Sequence, residues 1–541
     1  MSTRKKKTAM GVSKFDVLLT KLGTGRWNVL YFFVAGFWYL WLPGEYFGGA
    51  YMAPELAYTC LPPENSSVIS ISKDSCSYFV NDTDENGNET QMEYACTEWD
   101  YDNSVFTSTL TAEFDLVCGQ AYLKATYQSA LVFATMFTST FSGYLADRFG
   151  RKNVVVVTQI LFSVTSISIS LANNFSTVLA LRFITGAFFL PTTYVLAMEV
   201  CEIKNRAIVG IFTGLPWAIG TMIWGGLGYL VREWRYLRLT ATLPPLLLFP
   251  CLYLIDESPR WLILRGDDTR ALKVLRKASR WNNVELPPDN ELKKIFLDIR
   301  LEQAQNNIQK KPRRQIKGCD WRKMPLLKLF RTPKVRLITI LLSIMMFMVA
   351  LSYTGVSLSG NIYGDDPFVY MVILGVTQVP SYTITAPLIK WLGRRYPIIG
   401  CFILGGVSMI TLGFIPADIS WLVLTLAMIG MFSVSSAWMM MAVYLTELFP
   451  TEVRMQGMGT TTLFCQIAGT IAPYIALYLG PLIPWVPSLI YGICCFIAAG
   501  AAIPLRETKG LPLLETVDDL ECQAISQDIP DEDEETTKFQ E

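Results

Sequence analysis

The chain has 541 residues, of which 17% are charged, against roughly 25% in an average soluble protein, while 51% are apolar and 13% aromatic. The formal net charge is zero, from 46 basic and 46 acidic side chains. Histidine is absent, which excludes imidazole bases, histidine-ligated metals, Ser-His-Asp or Cys-His catalysis and imidazole proton relays.

Residues 1–26 carry Arg4, Lys5, Lys6, Lys7, Lys14, Lys21 and Arg26 ahead of an apolar run at 27–47, the length that crosses a hydrocarbon core as a helix. A hydrophilic loop at 49–122 follows, then five more runs at 123–145, 153–172, 176–198, 207–230 and 236–255. A second hydrophilic loop, 256–334, precedes six further runs at 335–356, 367–391, 397–416, 420–446, 457–479 and 483–504, and residues 505–541 form an acidic tail. This pattern predicts an all-α polytopic membrane protein with twelve transmembrane helices, six in 27–255 and six in 335–504, and a large outer loop.

Charge segregates between the loops. The 49–122 loop holds one cation, Lys73, against thirteen acids, whereas 256–334 holds twenty cations against ten acids. The positive-inside rule places the N-terminus, the central loop and, with an even span count, the tail in the cytoplasm, leaving 49–122 outside. Arg232, Arg235 and Arg238 run against that rule at the outer ends of the fifth and sixth spans.

The outer loop contains Cys60, Cys76, Cys96 and Cys118 and three glycosylation sequons, at Asn65, Asn81 and Asn88, as expected where disulfides persist. Four cysteines allow three connectivities, and the sequence does not choose among them. The other eight cysteines lack metal-ligand spacing, neither GxxxxGKS/T nor GxGxxG occurs, and no metal, cofactor or nucleic acid is expected. Trp27, Trp234 and Trp485, near predicted span ends, read as interfacial belt residues. Residues 269–280 read as an amphipathic helix at the inner leaflet.

Two features recur. Asp147-Arg148-Phe-Gly150-Arg151-Lys152 follows the second span and Lys390-Trp-Leu-Gly393-Arg394-Arg395 the eighth, with Gly-basic-basic 243 residues apart. Glu199 and Arg206 follow the fourth span and Glu447 and Arg454 the tenth, both pairs 248 apart. A duplicated six-span unit explains both offsets, and it is the architecture of carriers whose halves rock about a midplane site. Gly150 and Gly393 allow tight turns, and the cations can meet lipid headgroups or pair with Asp147, Glu199 or Glu447 to hold the cytoplasmic ends of the two halves together. Simple topogenic charge is the alternative role.

The Asp147–Lys152 run resembles the signature loop of the major facilitator superfamily. The long outer loop ending Glu113-Phe-Asp-Leu-Val-Cys118, Glu257-Ser-Pro-Arg-Trp-Leu262, Glu447-Leu-Phe-Pro-Thr-Glu-Val-Arg454, Arg506-Glu-Thr-Lys-Gly and Leu514-Glu-Thr-Val-Asp-Asp-Leu-Glu521 together resemble the organic cation/anion/carnitine transporter family, solute carrier family 22, over nearly the whole chain. Sugar porters share some of these elements but have a short first outer loop.

The resemblance implies no enzyme activity and a central cavity lined by aromatics, onto which Trp217, Tyr353 and Trp438 match span by span. A ring face attracts a desolvated ammonium by up to about 2 kcal/mol, with helix packing as the alternative role. Charges within spans cost roughly 2.5 to 3.5 kcal/mol on insertion scales. Arg182 matches the superfamily's fourth-span arginine, and Glu45 is the candidate counter-charge for a cationic solute, an outer-surface position being its alternative. Cation carriers of the family tend to hold an Asp in the eleventh span and anion carriers an Arg. Here Gln466 stands at that position, and Gln378 stands at the acid of the eighth span. The implied cargo is a small organic cation or zwitterion, carnitine- or carcinine-like, moved by alternating access across the plasma membrane. An organic-anion or sugar carrier, or a transport-inactive cell-surface receptor, is the alternative. Besides solute, the bilayer is the expected partner, and oligomeric state stays open.

Overall fold

A computed structural model describes residues 14–63, 68–83, 89–189, 192–309, 329–330, 332–416, 418–450, 452–510, 517 and 520. Hydrocarbon offers no hydrogen-bond partners, so each apolar run closes its own backbone as a helix. Among the described residues nine helices are long and apolar enough to cross a membrane. The other three expected spans are the helices Arg26–Tyr46, Tyr122–Phe149 and Ile203–Leu230, whose Trp, Tyr, Gly, Ser and Thr content lowers their hydropathy.

In chain order the first span is Arg26–Tyr46, the second Tyr122–Phe149 and the third Arg151–Ser170. The fourth comprises two segments, Phe175–Ala187 and Thr192–Glu199, the fifth is Ile203–Leu230 and the sixth Trp234–Leu254. The seventh to tenth are Pro333–Leu358, Pro367–Leu392, Arg395–Gly413 and Ser420–Leu448. The eleventh, Arg454–Leu482, passes through a π-helical stretch at Tyr474–Leu479, and the twelfth is Trp485–Ala502.

The chain forms two compact units. The first comprises Met1–Gln315, Ser357–Val379 and Pro473–Pro484, and the second Ile316–Val356, Pro380–Ala472 and Trp485–Glu541. In the first unit Trp27, Tyr31, Val34, Trp38 and Leu42 recur every three or four residues along the first span, and this stripe joins Phe162, Leu248, Leu252 and Ile255 in one core. Trp27 and Trp234 are each 1% exposed, so they are core residues and not the belt residues their positions suggested, while Trp485 is 55% exposed. In the second unit the ninth span packs against the tenth and twelfth, burying Met431, Val434, Ala437, Met441 and Tyr444 of the tenth.

The central loop contributes helices Pro259–Arg265, Asp268–Asn282 and Asp289–Gln309. Ala271, Val274, Leu275 and Ala278, the apolar face expected at the inner leaflet, are covered by protein instead. The N-terminal helix Lys14–Leu22 buries Phe15, Leu18, Leu19 and Leu22 in the same core, and Lys14 pairs with Asp298 at 3.0 Å.

The 49–122 loop folds as a cap. Strand β1 (Tyr58–Cys60) pairs antiparallel with β5 (Trp99–Tyr101), and β2 (Val68–Ile71), β3 (Ser77–Thr83) and β4 (Glu89–Ala95) form a three-stranded antiparallel sheet. Disulfides Cys60–Cys96 and Cys76–Cys118 tie the cap together. Asn81 lies on β3 opposite Gln91, while Asn65 and Asn88 lie outside the described residues. At the cap's end Glu113 accepts a 2.7 Å hydrogen bond from the Trp234 indole and pairs with Arg235. Non-reducing peptide mapping is expected to recover Cys60–Cys96 and Cys76–Cys118 cross-linked peptides and no other pairing of the four. Cys76→Ser is expected to cost about 2–4 kcal/mol of cap stability, measured by protease susceptibility of the loop.

Candidate functional site

Glu45 ends up where no solvent reaches it. Its carboxylate meets Arg182 Nη1 at 2.7 Å and Arg238 Nη2 at 3.1 Å, and accepts from the Ser166 hydroxyl at 2.5 Å and the Thr242 hydroxyl at 3.3 Å. Arg182 also donates to the Glu45 carbonyl at 2.6 Å and lies 4.7 Å above the Tyr127 ring. Arg238 donates to the Ser166 carbonyl at 3.1 Å and to the Tyr127 hydroxyl at 3.0 Å. Both arginines are 0% exposed and Glu45 1%. The cluster joins the first, second, third, fourth and sixth spans. Glu45 thus faces protein cations in this structure, neither free as a counter-charge nor at an outer surface.

The other expected cavity residues divide between the units. In the first, the Trp217 ring meets Tyr46 at 5.7 Å and Phe47 at 5.9 Å, both edge-on, and Gln378 is fully buried. In the second, the Tyr353 and Trp438 rings lie 5.5 Å apart at an interplanar angle of 34°, and Gln466 is half-buried.

The repeated motifs adopt one geometry twice. Gly150 (φ 96°) and Gly393 (φ 88°) sit in a region that side-chain-bearing residues rarely enter, which fixes the tight turns the repeat required. Arg151 bonds Glu199 at 3.1 Å and Asp147 at 2.7 Å, and Arg394 bonds Glu447 at 2.6 Å. These pairs join helices of the same half, the turn after one span to the end of another, and do not link one half to the other as the motif pattern suggests. Arg148 and Asp147 are exposed, with Arg148 donating to the Tyr144 hydroxyl at 3.0 Å. Arg206 donates to the Cys201 carbonyl and Arg454 to the Phe449 carbonyl, each at 3.3 Å, and Arg206 also pairs with Asp16 of the N-terminal helix at 2.7 Å.

Two further carboxylates complete this geometry. Glu257 accepts from the backbone N–H groups of Arg151 at 2.8 Å and Lys152 at 3.0 Å, and Glu507 from those of Arg394 and Arg395 at 2.9 Å each. A carboxylate at a helix N-terminus satisfies donors that the helix cannot and meets the positive end of its dipole. Burial pushes the Glu507 carboxyl up, but backbone donors from Arg394, Arg395, Lys509 and Thr508 reverse this and hold it below the ordinary carboxylate range.

At the cap-side end of the first unit, segments distant in sequence meet. The Tyr51 hydroxyl donates to the Pro367 carbonyl at 3.0 Å and its ring lies 5.2 Å from Phe368. The Thr126 and Tyr474 hydroxyls are 3.1 Å apart. The fifth and eighth spans touch through glycine: a Cβ on Gly375 would stand 2.7 Å from the Ala218 carbonyl oxygen and 2.6 Å from the Met222 side chain.

Residues 65–519 match the sugar (and other) transporter family. The organic cation transporter protein of Drosophila melanogaster is 29% identical over 495 residues, covering 87% of this chain and 88% of that protein. Organic anion transporter 3 of Sus scrofa is 29% identical over 539 residues, 97% and 96% of the two chains. Solute carrier family 22 member 21 of Mus musculus is 31% identical over 438 residues, covering 80% of this chain and 75% of that one. The chain belongs to solute carrier family 22, within the sugar (and other) transporter family. The fold of this solute carrier is also that of the major facilitator proton:xylose symporter XylE bound to 6-bromo-6-deoxy-D-glucose, with a TM-score of 0.59 at 17% identity over 92% of this chain and 99% of that one. Family and fold are those of multi-pass membrane carriers, not enzymes.

Sequence reasoning missed Arg238 as the third member of the ion cluster, although a cation inside a predicted span signals a buried partner. It also left Glu257 and Glu507 without a role, although they stand 250 residues apart beside motifs repeated at 243 and 248. Glu45→Gln in this solute carrier leaves two buried guanidiniums unneutralised and is expected to cost about 3–5 kcal/mol, against about 1 kcal/mol for Ser166→Ala, measured by thermal unfolding of the solubilised protein. Gly375→Leu is expected to wedge the fifth and eighth spans apart and cut uptake by at least about tenfold at unchanged surface expression, because packed interfaces shift between discrete arrangements and do not deform continuously. Full uptake by this variant would show that the close contact is not needed.

Proposed function

We propose that this solute carrier moves small organic cations or zwitterions, carnitine- or carcinine-like, across the plasma membrane by alternating access, with both termini in the cytoplasm. The observation that carries the reading is the condition of Glu45. Its charge is spent on Arg182 and Arg238, and the residues at the family's two charge-reading positions are the neutral amides Gln378 and Gln466. Solute selection then falls to rings and amides: Tyr353 with Trp438, and Trp217 beside Tyr46 and Phe47. Ring faces attract an alkylated ammonium whose hydration is weak, and amides hydrogen-bond a carboxylate or imidazole without demanding net charge. The Drosophila melanogaster relative's description as an organic cation transporter supports the same class.

A second reading, an organic-anion carrier, is favoured by the ion cluster itself, which holds two guanidiniums against one carboxylate, and by the similarity to organic anion transporter 3. Uptake into expressing cells of a quaternary amine, carnitine, a dicarboxylate and a hexose is expected to be saturable for the first two only. Saturable uptake of the dicarboxylate alone supports the anion reading, and no saturable uptake of any of them removes the carrier reading. Gln466→Asp is expected to shift preference toward the quaternary amine and Gln466→Arg toward the dicarboxylate by about tenfold each, or 1.4 kcal/mol. Unchanged selectivity in both variants would show that position 466 does not read charge.

A further inference from the structure

Phe106 is a large apolar side chain in a mostly polar stretch of the cap, Asp102-Asn-Ser-Val-Phe-Thr-Ser108, yet it is only 5% exposed. Part of its cover comes from the start of the eighth span, where the Phe368 ring lies 5.4 Å from the Phe106 ring at an interplanar angle of 54°. Phe368, also 5% exposed, meets two further rings, Tyr51 from just past the first span at 5.2 Å and Tyr229 of the fifth span at 6.0 Å. Three segments distant in sequence thus close on one ring, and each contact adds ring-pair attraction to the gain from removing apolar surface from water.

Both members of the Phe106–Phe368 pair are held from behind. The Asp366 side chain accepts from the backbone N–H groups of Phe368 at 2.7 Å and Val369 at 3.2 Å, fixing the first turn of the eighth span. Gly228 lets the fifth span close on this turn, since a Cβ there would stand 2.8 Å from the Tyr51 ring and 3.0 Å from the Phe368 ring. On the cap side, Thr107 donates to the Arg232 carbonyl and Trp234 to the Ser108 carbonyl, each at 3.1 Å, so the residues after Phe106 run as a strand beside the turn between the fifth and sixth spans. All these residues belong to the first unit. The eighth span does not lie wholly within it, because residues up to Val379 fall in the first unit and those from Pro380 in the second. A proline inside a helix leaves a ladder hydrogen bond unmade and is a place where the helix bends.

We propose that Phe106 makes the cap a latch on the eighth span, holding its cap-side end against the first and fifth spans. When those spans part, the cap stays tied to residues 232–234, so the Phe106 and Phe368 rings must separate. The latch rests on the alternating-access reading and adds to it a role for the cap, which biases the exchange by as much as its contact differs between the two arrangements.

Val372, one turn after Phe368, reports on the latch. It packs on the fifth span, where a Cβ on Gly225 would stand 2.8 Å from its Cγ2. In Val372→Cys a water-soluble reagent reaches the thiol when the fifth and eighth spans part. The test is the rate at which methanethiosulfonate ethyltrimethylammonium modifies this cysteine in the full chain in nanodiscs, above the rate of the chain without it. Nanodiscs open both faces to the reagent and no solute is added, so the result is independent of the uptake panel that tests the carrier reading. Phe106→Ala is expected to raise the rate by about three- to tenfold, the loss of one ring pair. Ile71→Ala, at an exposed cap position, is expected to leave it unchanged. Phe368→Ala is expected to raise it at least as much as Phe106→Ala, and the double variant to be no faster than Phe368→Ala alone, because one contact is lost only once. Recovery of the Cys60–Cys96 and Cys76–Cys118 peptides shows that the cap of Phe106→Ala is folded, and if they are lost, Phe106→Leu, which keeps apolar bulk without the ring, is read in its place. The latch is overturned by an unchanged rate in the variant at 106, by an equal rise in Ile71→Ala, or by a double-variant rise equal to the product of the two single ones.

Discussion

A charge taken out of water persists in a membrane-spanning bundle only if the protein returns the solvation that water supplied. Glu45, Arg182 and Arg238 meet that condition together. One carboxylate serves two guanidiniums, two hydroxyls complete its acceptor sites, and a tyrosine supplies both a ring face and a hydroxyl. Five of the six helices of the N-terminal half contribute to this one cluster, so the helices cannot slide past one another without exposing a charge to hydrocarbon. The cluster thereby ties these five helices to one another. The ion pairs also bear on an irregularity in the sequence pattern: Arg238 and Arg235 run against the positive-inside rule, and each meets a carboxylate of the protein, Glu45 and Glu113.

The same condition recurs, in milder form, at the side opposite the cap. A helix that begins directly after a glycine turn leaves backbone donors unmet, and here a carboxylate from the segment after the sixth or the twelfth span takes them. Because Glu257 and Glu507 do the same work in both halves, and Arg151 and Arg394 reach the same kind of acid, the duplication is visible in hydrogen bonds as well as in sequence offsets. Arg206 reaches Asp16 and ties the N-terminal helix to the start of the fifth span.

Much of this was legible in the chain. Spans, loop charge, the repeat and the family all follow from local runs of residues, and a helix in hydrocarbon needs little beyond its own segment to form. What was not legible depends on separation. Glu45 and Arg182 each stood out as in-span charges, but they are 137 residues apart, and Arg238 is 193 from Glu45. Nothing in a window of twenty residues says which distant charge answers which. Trp27 and Trp234 misled for a related reason: a tryptophan near a span end fits an interfacial belt equally well until a neighbour covers it, as Tyr31 covers Trp27 at 5.0 Å and Glu113 engages Trp234. The apolar face of Asp268–Asn282 fitted a lipid surface until the N-terminal helix and the first span proved to occupy it.

The sequence by itself determined the number and order of the spans, the acidic cap with its four cysteines, the absence of imidazole chemistry and the membership in a carrier family, because hydropathy, charge and motif are properties of short segments. Tertiary structure alone decided that the cysteines pair as Cys60–Cys96 and Cys76–Cys118, and that Glu45 meets Arg182 and Arg238 within the protein. Those outcomes depend on which distant segments come within a few ångströms, and that is fixed by helix packing, not by any residue's neighbours in the chain.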